Sequence, residues 1–199
     1  MDDGPVSTEL EAWLARDEPK TIGNLVELFG PKSFALLFVL LLGLPALPLP
    51  TGGATHVFEL IAMLLSLELI AGRDAVWLPQ RWCRIDLAGP KQEKFLRGLM
   101  RFIRGLERFS KPRARWLFHR RASNVVFGLL TIALSVGAFL APPFTGLDTL
   151  PALGAVLIAL GVLLEDVIVV IAGIVAGAAG VVLEIVIGTA AYHGLSDLF

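Results

Sequence analysis

The stretch LLFVLLLGLPALPLPTGGAT (36–55) interrupts a strongly apolar run with prolines and glycines at its centre. A second stretch of the same design, LTIALSVGAFLAPPFTGLDT (130–149), lies further along the chain. Both contain the pattern Pro-x-x-Thr-Gly-x-x-Thr, which a shared apolar composition does not explain. We therefore predict an internal duplication, in which each copy consists of an apolar arm, a break and a second apolar arm.

The break residues are the main landmarks of the two copies. They are Pro48, Thr51, Gly52, Gly53 and Thr55 in the first copy, and Pro142, Thr145, Gly146 and Thr149 in the second. Two interpretations stay open. Thr55 and Thr149 are placed to N-cap the second arms, with Asp148 as another candidate cap. Alternatively, the free N–H groups at the start of each second arm bind an anionic or hydroxyl-rich solute.

Composition places the chain among membrane proteins. Hydrophobic residues make up 55% of its 199 residues, against roughly 45–50% in soluble domains. They are concentrated in blocks at 33–71, 125–164 and 167–192, and Glu184 is the only charge in the last block. That block is long enough to cross about 30 Å of hydrocarbon as a helix. Because the N-terminus is acidic and the first block begins near Ser33, we expect no cleaved signal peptide.

We predict an all-α integral membrane protein with two repeated broken-helix or re-entrant hairpin units. The predicted regions are an amphipathic N-terminal region (1–32), the first repeat (33–72), a basic segment (73–124), the second repeat (125–166), a transmembrane helix (167–192) and a tail (193–199). Arms of about 12 to 16 residues are short for a full crossing at about 1.5 Å per residue. Each unit is therefore either a hairpin that returns to its own side or a discontinuous helix that crosses the membrane.

The N-terminal region contains signals for two short amphipathic helices. Ser7 or Thr8 is the predicted N-cap of the first helix, and Thr21 is the predicted N-cap of the second. Gly30 and Pro31 are expected to end the second helix, since neither residue suits a helix interior.

The basic segment carries most of the positive charge of the chain. Of 17 Lys and Arg residues, 14 lie between Arg73 and Arg121. A helix beginning near Pro90 places an apolar stripe of Phe95, Leu99, Phe102, Leu106 and Phe109 opposite a basic stripe of Lys94, Arg97, Arg101, Arg104 and Arg108. This pattern predicts a helix on an anionic membrane surface, or else a solvated basic face. The excess of positive charge places this segment in the cytoplasm.

Ionisable residues inside the apolar blocks are candidates for a proton or ion path, because an intramembrane carboxylate is costly. His56 and Glu59 are three residues apart and share a helix face, so they form a candidate proton or ion site. They align with two leucines in the second copy. Glu68 is expected to reach the interface near Arg73, and Glu184 interrupts the last apolar block.

The last apolar block also carries a surface of small residues. Gly173, Gly177 and Gly180 recur there at helical spacing, which allows close helix packing. We predict a homodimer through this surface, with packing on the chain's own hairpins as the alternative.

No enzyme signature is present in the sequence. There is no zinc-binding His/Glu spacing, phosphate-binding loop or nucleophile with a base. Cys83 is the only cysteine, which excludes an intramolecular disulfide. We predict no catalytic residues, metal or cofactor. Nucleic-acid binding is not expected either, because the basic segment is embedded between membrane blocks.

The order of these parts resembles the ExoD family of bacterial membrane proteins, which is named for exopolysaccharide synthesis. The resemblance rests on TIGNLVELFGPKSFALLFVLLLGLPALPLP (21–50), LELIAGRDAVWLPQRW (67–82), the basic helix, and the second block with its LPALGAVLIALGVLLEDVIVV (150–170). It implies a place in the bacterial inner membrane and an association with exopolysaccharide production. It implies no reaction and no catalytic residues. The paired hairpins are also similar in plan to DedA-type proteins, as an architectural analogy only.

Two hypotheses for function follow. The first is a small transporter or channel-like protein with a solute site between the two Thr-Gly breaks. The second is a non-transporting accessory protein that acts through the basic helix on the lipid bilayer or on the polysaccharide synthesis machinery.

Overall fold

A computed structural model describes residues 5–47, 55–73, 75–113, 115–118, 120–141 and 145–196, with the backbone alone at Lys91 and at 191–196. Five of the predicted break residues, Pro48, Thr51, Gly52, Gly53 and Pro142, lie outside these ranges. Across the described ranges the protein is helical and has no β-strand, and Thr21 and Arg113 take part in isolated bridges. The all-α prediction is confirmed.

The described residues form ten α-helices. They are α1 (Val6–Ala15), α2 (Ile22–Phe29), α3 (Ser33–Gly43), α4 (His56–Ile70), α5 (Gln80–Cys83), α6 (Pro90–Glu107), α7 (Arg115–Phe118), α8 (Arg121–Leu140), α9 (Thr149–Leu163) and α10 (Val167–Ser196). A 3₁₀ turn, Gly30–Lys32, joins α2 to α3. Pro90 begins α6 as predicted, since its missing N–H needs no partner in a first turn.

The N-terminal helices follow only part of the prediction. Thr21 caps α2, because its hydroxyl accepts a hydrogen bond from the Asn24 N–H at 3.3 Å. Gly30 ends α2 with a φ of +49°, a conformation that suits glycine. The predicted cap of α1 is wrong: the helix begins one residue before Ser7, whose backbone N–H and hydroxyl instead donate to the carboxylate of Glu107.

Helix α3 forms the centre of the core. Its side chains are apolar on all sides, and every residue from Ser33 to Val39 is buried. Phe38 packs edge-on against Phe127 of α8, with ring centroids 5.7 Å apart. Helices α2, α4 and α9 pack against α3, and α1 and α6 pack against each other. An all-round apolar helix has to be buried in this way or face lipid.

The paired helices run in opposite directions. Gly128 of α8 lies against Ile70 at the end of α4, while His56 at the start of α4 contacts Phe139 near the end of α8. Helix α10 runs antiparallel to α9 and parallel to α8. We call the end where α3 and α8 finish the break end, and the opposite end, where α8 and α10 begin, the Asp166 end.

The glycines of α10 pack within the chain. A Cβ atom added to Gly173 would lie 2.6 Å from the Ile158 nitrogen of α9, and one added to Gly180 would lie 2.6 Å from Cδ of Pro151. Gly177 faces Leu134 of α8 in the same way. The structure therefore matches the alternative stated above, in which these residues pack on the chain's own helices. A homodimer stays a prediction, but these glycines are not free to form it.

Three described helical segments are long and apolar enough to cross a membrane: Ile22–Gly43, Arg121–Leu140 and Val167–Ala190. The bend at Gly30 interrupts the first. Helices α4 and α9 have 15 residues each, as predicted, but α8 has 20, so the short first arm predicted for the second repeat is wrong. The additional residues lie at its start, since α8 begins at Arg121, before the apolar block that starts at residue 125. The duplication itself stays a prediction.

Many of the exposed large apolar side chains lie on three helices. They include Val57, Leu60, Leu64 and Leu67 of α4, Val126, Leu129 and Leu140 of α8, and Ile168, Ile171, Val175, Val182, Ile185 and Val186 of α10. Contiguous exposed apolar area of this kind is typical of a lipid-facing surface. With the three long helices, it identifies the protein as a membrane protein.

The buried carboxylate of Asp166 joins several segments at the Asp166 end through hydrogen bonds. Asp166 is 1% exposed. Its Oδ2 accepts hydrogen bonds from the Ser110 hydroxyl, the Lys111 N–H and the Arg113 guanidinium, each at 3.0 Å, and its Oδ1 accepts one from the Ile168 N–H at 2.9 Å. Burial opposes ionisation of this group. The hydrogen bonds outweigh burial, so the pKa of Asp166 lies below its ordinary value of 3.8.

Replacing Asp166 by Ala is expected to destabilise the protein by about 2–4 kcal/mol, because it removes charged hydrogen bonds and leaves buried N–H donors unpaired. Thermal unfolding in detergent micelles measures this, with Glu93→Ala as the control. Glu93 forms an exposed ion pair with Arg97, which contributes at most about 0.5 kcal/mol.

Comparing wild type with Asp166→Ala at different pH values tests the pKa of Asp166. A carboxyl whose folded pKa is depressed stabilises the fold fully above its unfolded pKa, and this contribution disappears as the pH falls through the folded pKa. The stability difference between wild type and Asp166→Ala should therefore stay constant from neutral pH down to about pH 5 and shrink in stronger acid. A difference that vanishes near pH 7 contradicts this assignment.

Candidate functional site

The candidate site lies at the break end and begins with the first turn of α4. His56 and Glu59 share one face of this helix, and His56 Nδ1 lies 2.8 Å from Glu59 Oε2. The imidazole also contacts the ring of Phe139, with centroids 5.1 Å apart. The side chain of His56 is 25% exposed and that of Glu59 is 0% exposed. The histidine therefore stands between the surface and a fully buried carboxyl group.

Glu59 is the most unusual side chain of this region. Its Oε2 atom meets His56, but its Oε1 atom is buried and has no hydrogen-bond partner in the described part of the chain. A buried polar atom without a partner costs free energy. A core position could hold an apolar residue instead, so this cost points to a functional role for the carboxyl group.

Glu184 of α10 brings a second carboxyl group to the same region. It lies opposite Gly137 of α8, where an added Cβ atom would be 3.7 Å from Glu184 Oε2 and 2.8 Å from Val181. Glu184 Oε1 is buried and has no partner among the described residues. The same Cβ position at Gly137 lies 3.7 Å from Cβ of Pro151, so the start of α9, which follows Asp148, is at this level too. We call Glu59, Asp148 and Glu184, together with His56, the carboxyl cluster.

Helix α8 supplies a further polar atom at this level. The antiparallel contacts of α4 and α8, from Gly128–Ser66 at one end to His56–Phe139 at the other, set their register. This register places Ser135 level with Glu59. Ser135 is 1% exposed, and its hydroxyl is another buried group without a hydrogen-bond partner in the described ranges. Three unpaired polar side chains thus lie in one layer of the molecule, on α4, α8 and α10.

Proton exchange at His56 and Glu59 stays a prediction. In the described ranges no group of three or more His, Cys, Asp and Glu side chains could hold a metal ion. A carboxyl beside an imidazole can pass a proton, because imidazole titrates near neutral pH.

The break residues that are described do not cap helices as predicted. Thr55 precedes α4 and Asp148 precedes α9, but both have helical backbone angles and neither side chain makes a capping hydrogen bond. Thr149 is itself the first residue of α9. The capping prediction is therefore wrong for these three residues. At Thr55 the Phe58 N–H, which a capping hydroxyl would accept, donates instead to the Thr55 backbone oxygen at 2.9 Å.

The loop between α8 and α9 has its own local order. Gly146 has a φ of +68°, which a side chain would disfavour. The Thr145 hydroxyl accepts a hydrogen bond from the Leu147 N–H at 3.4 Å. The loop leads directly into Asp148, so the second break places one member of the carboxyl cluster. Solute binding by Thr145 and Gly146 stays a prediction.

The predicted basic stripe is exposed along α6. Lys94, Arg97, Arg101, Arg104 and Arg108 all reach the surface. Two of them form exposed ion pairs, Arg97 with Glu93 and Arg104 with Glu11. We call these five residues the basic face.

The apolar side of α6 differs from the predicted stripe. Leu96, Leu99 and Ile103 are buried, whereas Phe102 and Phe109 are 42% and 82% exposed. The buried face of α6 therefore differs from the face that carries the phenylalanines. Burial depends on contacts with α1 and α3, which the sequence pattern does not show. Two phenylalanines are left at the surface beside the basic face.

The course of α6 also differs from a helix lying flat on a membrane. Phe95 near its start packs on Gly43 at the end of α3. Glu107 at its end shares a surface cavity with Lys32 at the start of α3. Helix α6 thus runs alongside α3, in the opposite direction. A membrane-surface role for the basic face stays a prediction.

Comparison with known proteins gives a family for this chain. The family model "Exopolysaccharide synthesis, ExoD" matches residues 6–186. The chain belongs to the ExoD family. Protein ExoD of Rhizobium meliloti is 31% identical over 186 residues, which cover 90% of this chain and 76% of the relative. An uncharacterized protein of Synechocystis sp. is 24% identical over 92% of this chain and 84% of its own length. No solved structure matches the chain.

Membership of the ExoD family confirms the resemblance and links the chain to exopolysaccharide synthesis. It assigns no role to the carboxyl cluster. Within this ExoD-family protein, the sequence located His56 and Glu59 as a pair, and it marked Glu184 only as an interruption. The contact between α8, α9 and α10 brings Glu184 and Asp148 to them, and no spacing along the chain signals that contact.

Proposed function

We propose that this ExoD-family protein is a small membrane transporter that supports exopolysaccharide synthesis by moving a solute, with proton exchange at the carboxyl cluster. The observation that carries the proposal is Glu59. Its carboxyl group is fully buried, one oxygen faces His56, and the other has no partner among the described residues. A scaffold gains nothing from such a group, whereas a transporter uses it to bind and release a proton.

The position of the carboxyl cluster supports the same proposal. Its residues come from the starts of α4 and α9 and from the interior of α10. In transporters with broken helices, substrates and coupling ions bind where helices start or stop within the membrane. Both predicted breaks lead directly into the cluster, so the solute site is proposed to lie between them, next to Thr145 and Gly146.

The proposed membrane arrangement follows from the helix directions. Helices α3 and α4 form one hairpin, α8 and α9 form the other, and α10 crosses once. Two arms that run in opposite directions support hairpins over a discontinuous helix, and arms of 15 residues in α4 and α9 favour re-entrant units. We propose the bacterial inner membrane as the location. Segment 73–124 is proposed to face the cytoplasm, because it carries most of the basic residues.

A second candidate function rests on the surface of α6. Phe102 and Phe109 are exposed next to Arg101 and Arg108. Exposed aromatic and arginine side chains are typical of contact surfaces. In this alternative the protein is a non-transporting accessory that docks on polysaccharide synthesis machinery through the basic face, and a homodimer would present that face twice.

Exopolysaccharide output separates the two functions. The host is a bacterium that lacks its own ExoD-family protein and in which this chain restores output. We expect the triple variant Arg97→Gln, Arg101→Gln, Arg104→Gln to keep output within about twofold of wild type, since exposed ion pairs contribute little to stability. Glu59→Gln should remove the restored output. The reverse result, lost output in the triple variant and full output in Glu59→Gln, overturns the transport proposal and supports the accessory function.

A further inference from the structure

A cavity of about 350 Å³ opens at the Asp166 end, far from the carboxyl cluster. Helix α7 forms one wall, the first turns of α8 form another, and α9 and α10 close it. Its apolar lining includes Trp116, Phe127, Leu130, Ile158, Val162 and Val170. The volume lies in the range of small-molecule sites, roughly 300–1,000 Å³. Apolar walls of this kind provide few hydrogen-bonding groups for a polar solute.

The rim of this cavity is cationic. The Arg120 guanidinium lies 4.5 Å from the centroid of the Trp116 ring. Nearby Arg113 and Arg115 are paired with Asp166 and Glu165. Arg120, by contrast, forms no ion pair within the described ranges. A guanidinium without a carboxylate partner among the described residues therefore lies at the mouth of an apolar cavity.

The depth of the cavity matches a membrane interface. It lies where α8 and α10, two of the membrane-spanning candidates, begin. Val126 beside it is 55% exposed, and Trp116 is 61% exposed. Tryptophan is enriched at the level of lipid headgroups. The exposed tryptophan and the adjacent arginine suit the headgroup region of a membrane. The apolar cavity suits the hydrocarbon beneath it.

We propose that this cavity binds an anionic phospholipid, with one acyl chain between α7, α8 and α10 and the phosphate on Arg120. Both halves of the ligand have a partner. The apolar lining removes the acyl chain from water, and the Arg120 guanidinium binds the phosphate charge. Basic pockets between transmembrane helices are typical sites for anionic lipids. The site is independent of the carboxyl cluster and of the proposed transport.

Brominated lipids provide the test, because bromine in an acyl chain quenches a tryptophan that touches it. The full chain in detergent micelles is titrated with phosphatidylglycerol, and separately with phosphatidylcholine, both carrying dibrominated acyl chains. The signal of Trp116 is the difference between wild type and Trp116→Phe. We expect this signal to be quenched at a lower lipid fraction by phosphatidylglycerol than by phosphatidylcholine.

Three variants make the assignment specific. Arg120→Gln should raise the half-quenching fraction of phosphatidylglycerol about fivefold, whereas Arg108→Gln, an exposed arginine on α6, should leave it unchanged. Ala122→Phe fills the cavity from an exposed position and should abolish quenching while helicity and Tm stay at wild-type values. Equal quenching by the two lipids, an unchanged Arg120→Gln or full quenching in Ala122→Phe each overturns the proposal.

Discussion

Replacing Glu59 by Gln is expected to lower exopolysaccharide output at least tenfold while the protein remains folded and membrane-inserted. Gln keeps the size and shape of the side chain but binds and releases no proton in the physiological range. Its effect on stability is small or favourable, because a neutral amide costs less to bury than a carboxylate. Output in the complemented bacterium and Tm in detergent are the two measurements.

Glu68→Gln is the matched control for Glu59→Gln. Glu68 lies on the same helix and is partly exposed at the other end, where its Oε2 accepts a hydrogen bond from the Trp77 N–H at 2.9 Å. It does not pair with Arg73 through its side chain in the described ranges. We expect output within about twofold of wild type. An equal loss in both variants would mean that any change of carboxylate on α4 is harmful.

Glu184→Gln extends this result to the residue that the sequence left unassigned. The proposed transport uses both buried carboxyl groups, each of which has an oxygen without a partner in the described ranges, so the two should work as one unit. Side chains that act as a unit give non-additive effects. We expect Glu184→Gln alone to lose about as much output as Glu59→Gln, and the double variant to lose no more than either. Full output in Glu184→Gln would place the two carboxyl groups in separate sites.

Gly173→Val is expected to have the largest effect on stability, a destabilisation of about 3 kcal/mol or more. A Cβ atom at this position would lie 2.6 Å from the Ile158 nitrogen and 2.7 Å from the Gly154 oxygen. Both are backbone atoms of α9, so no side chain can move away to make room. If α9 separates from α10, Asp148 also moves away from Glu184. We therefore expect the variant to lose the proposed transport as well as stability. Thermal unfolding in detergent measures the loss.

Gly188→Val, on the same helix, controls for helix propensity. No atom lies within 4 Å of a Cβ at that position, so the change adds a β-branched residue without a clash. Its Tm should stay within about 3 °C of wild type, because a surface substitution changes stability by roughly 0.5 kcal/mol. If Gly173→Val is as stable as Gly188→Val, the close packing of α9 and α10 described here is wrong.

Local patterns were enough to predict much of the fold. Composition gave the membrane class, Pro90 and Thr21 marked helix starts, and the glycines of α10 signalled close packing. These features act within one or two turns of helix, so the sequence contains them directly. The length of α8 was missed, because the apolar pattern at 125–140 does not include the helical turn that begins at Arg121.

The site was predicted only where its residues are close in sequence. His56 and Glu59 are one turn apart, and their contact follows from helix geometry. Glu184 joins them through the register of α9 and α10, which depends on three-dimensional packing. The same reason explains the basic helix: the sequence predicted its exposed face, but burial of Leu96 and Ile103 against α1 and α3 decided which apolar residues face inward.

Proton movement in reconstituted vesicles tests the central claim most directly. Wild type and Glu59→Gln are reconstituted at equal density in liposomes that contain a pH-sensitive dye, with a pH gradient across the membrane. The dialysable extract of exopolysaccharide-producing cells is added as the source of solute. The account predicts extract-dependent proton movement at least ten times faster with wild type than with Glu59→Gln. Equal rates, including no movement with either protein, would contradict it.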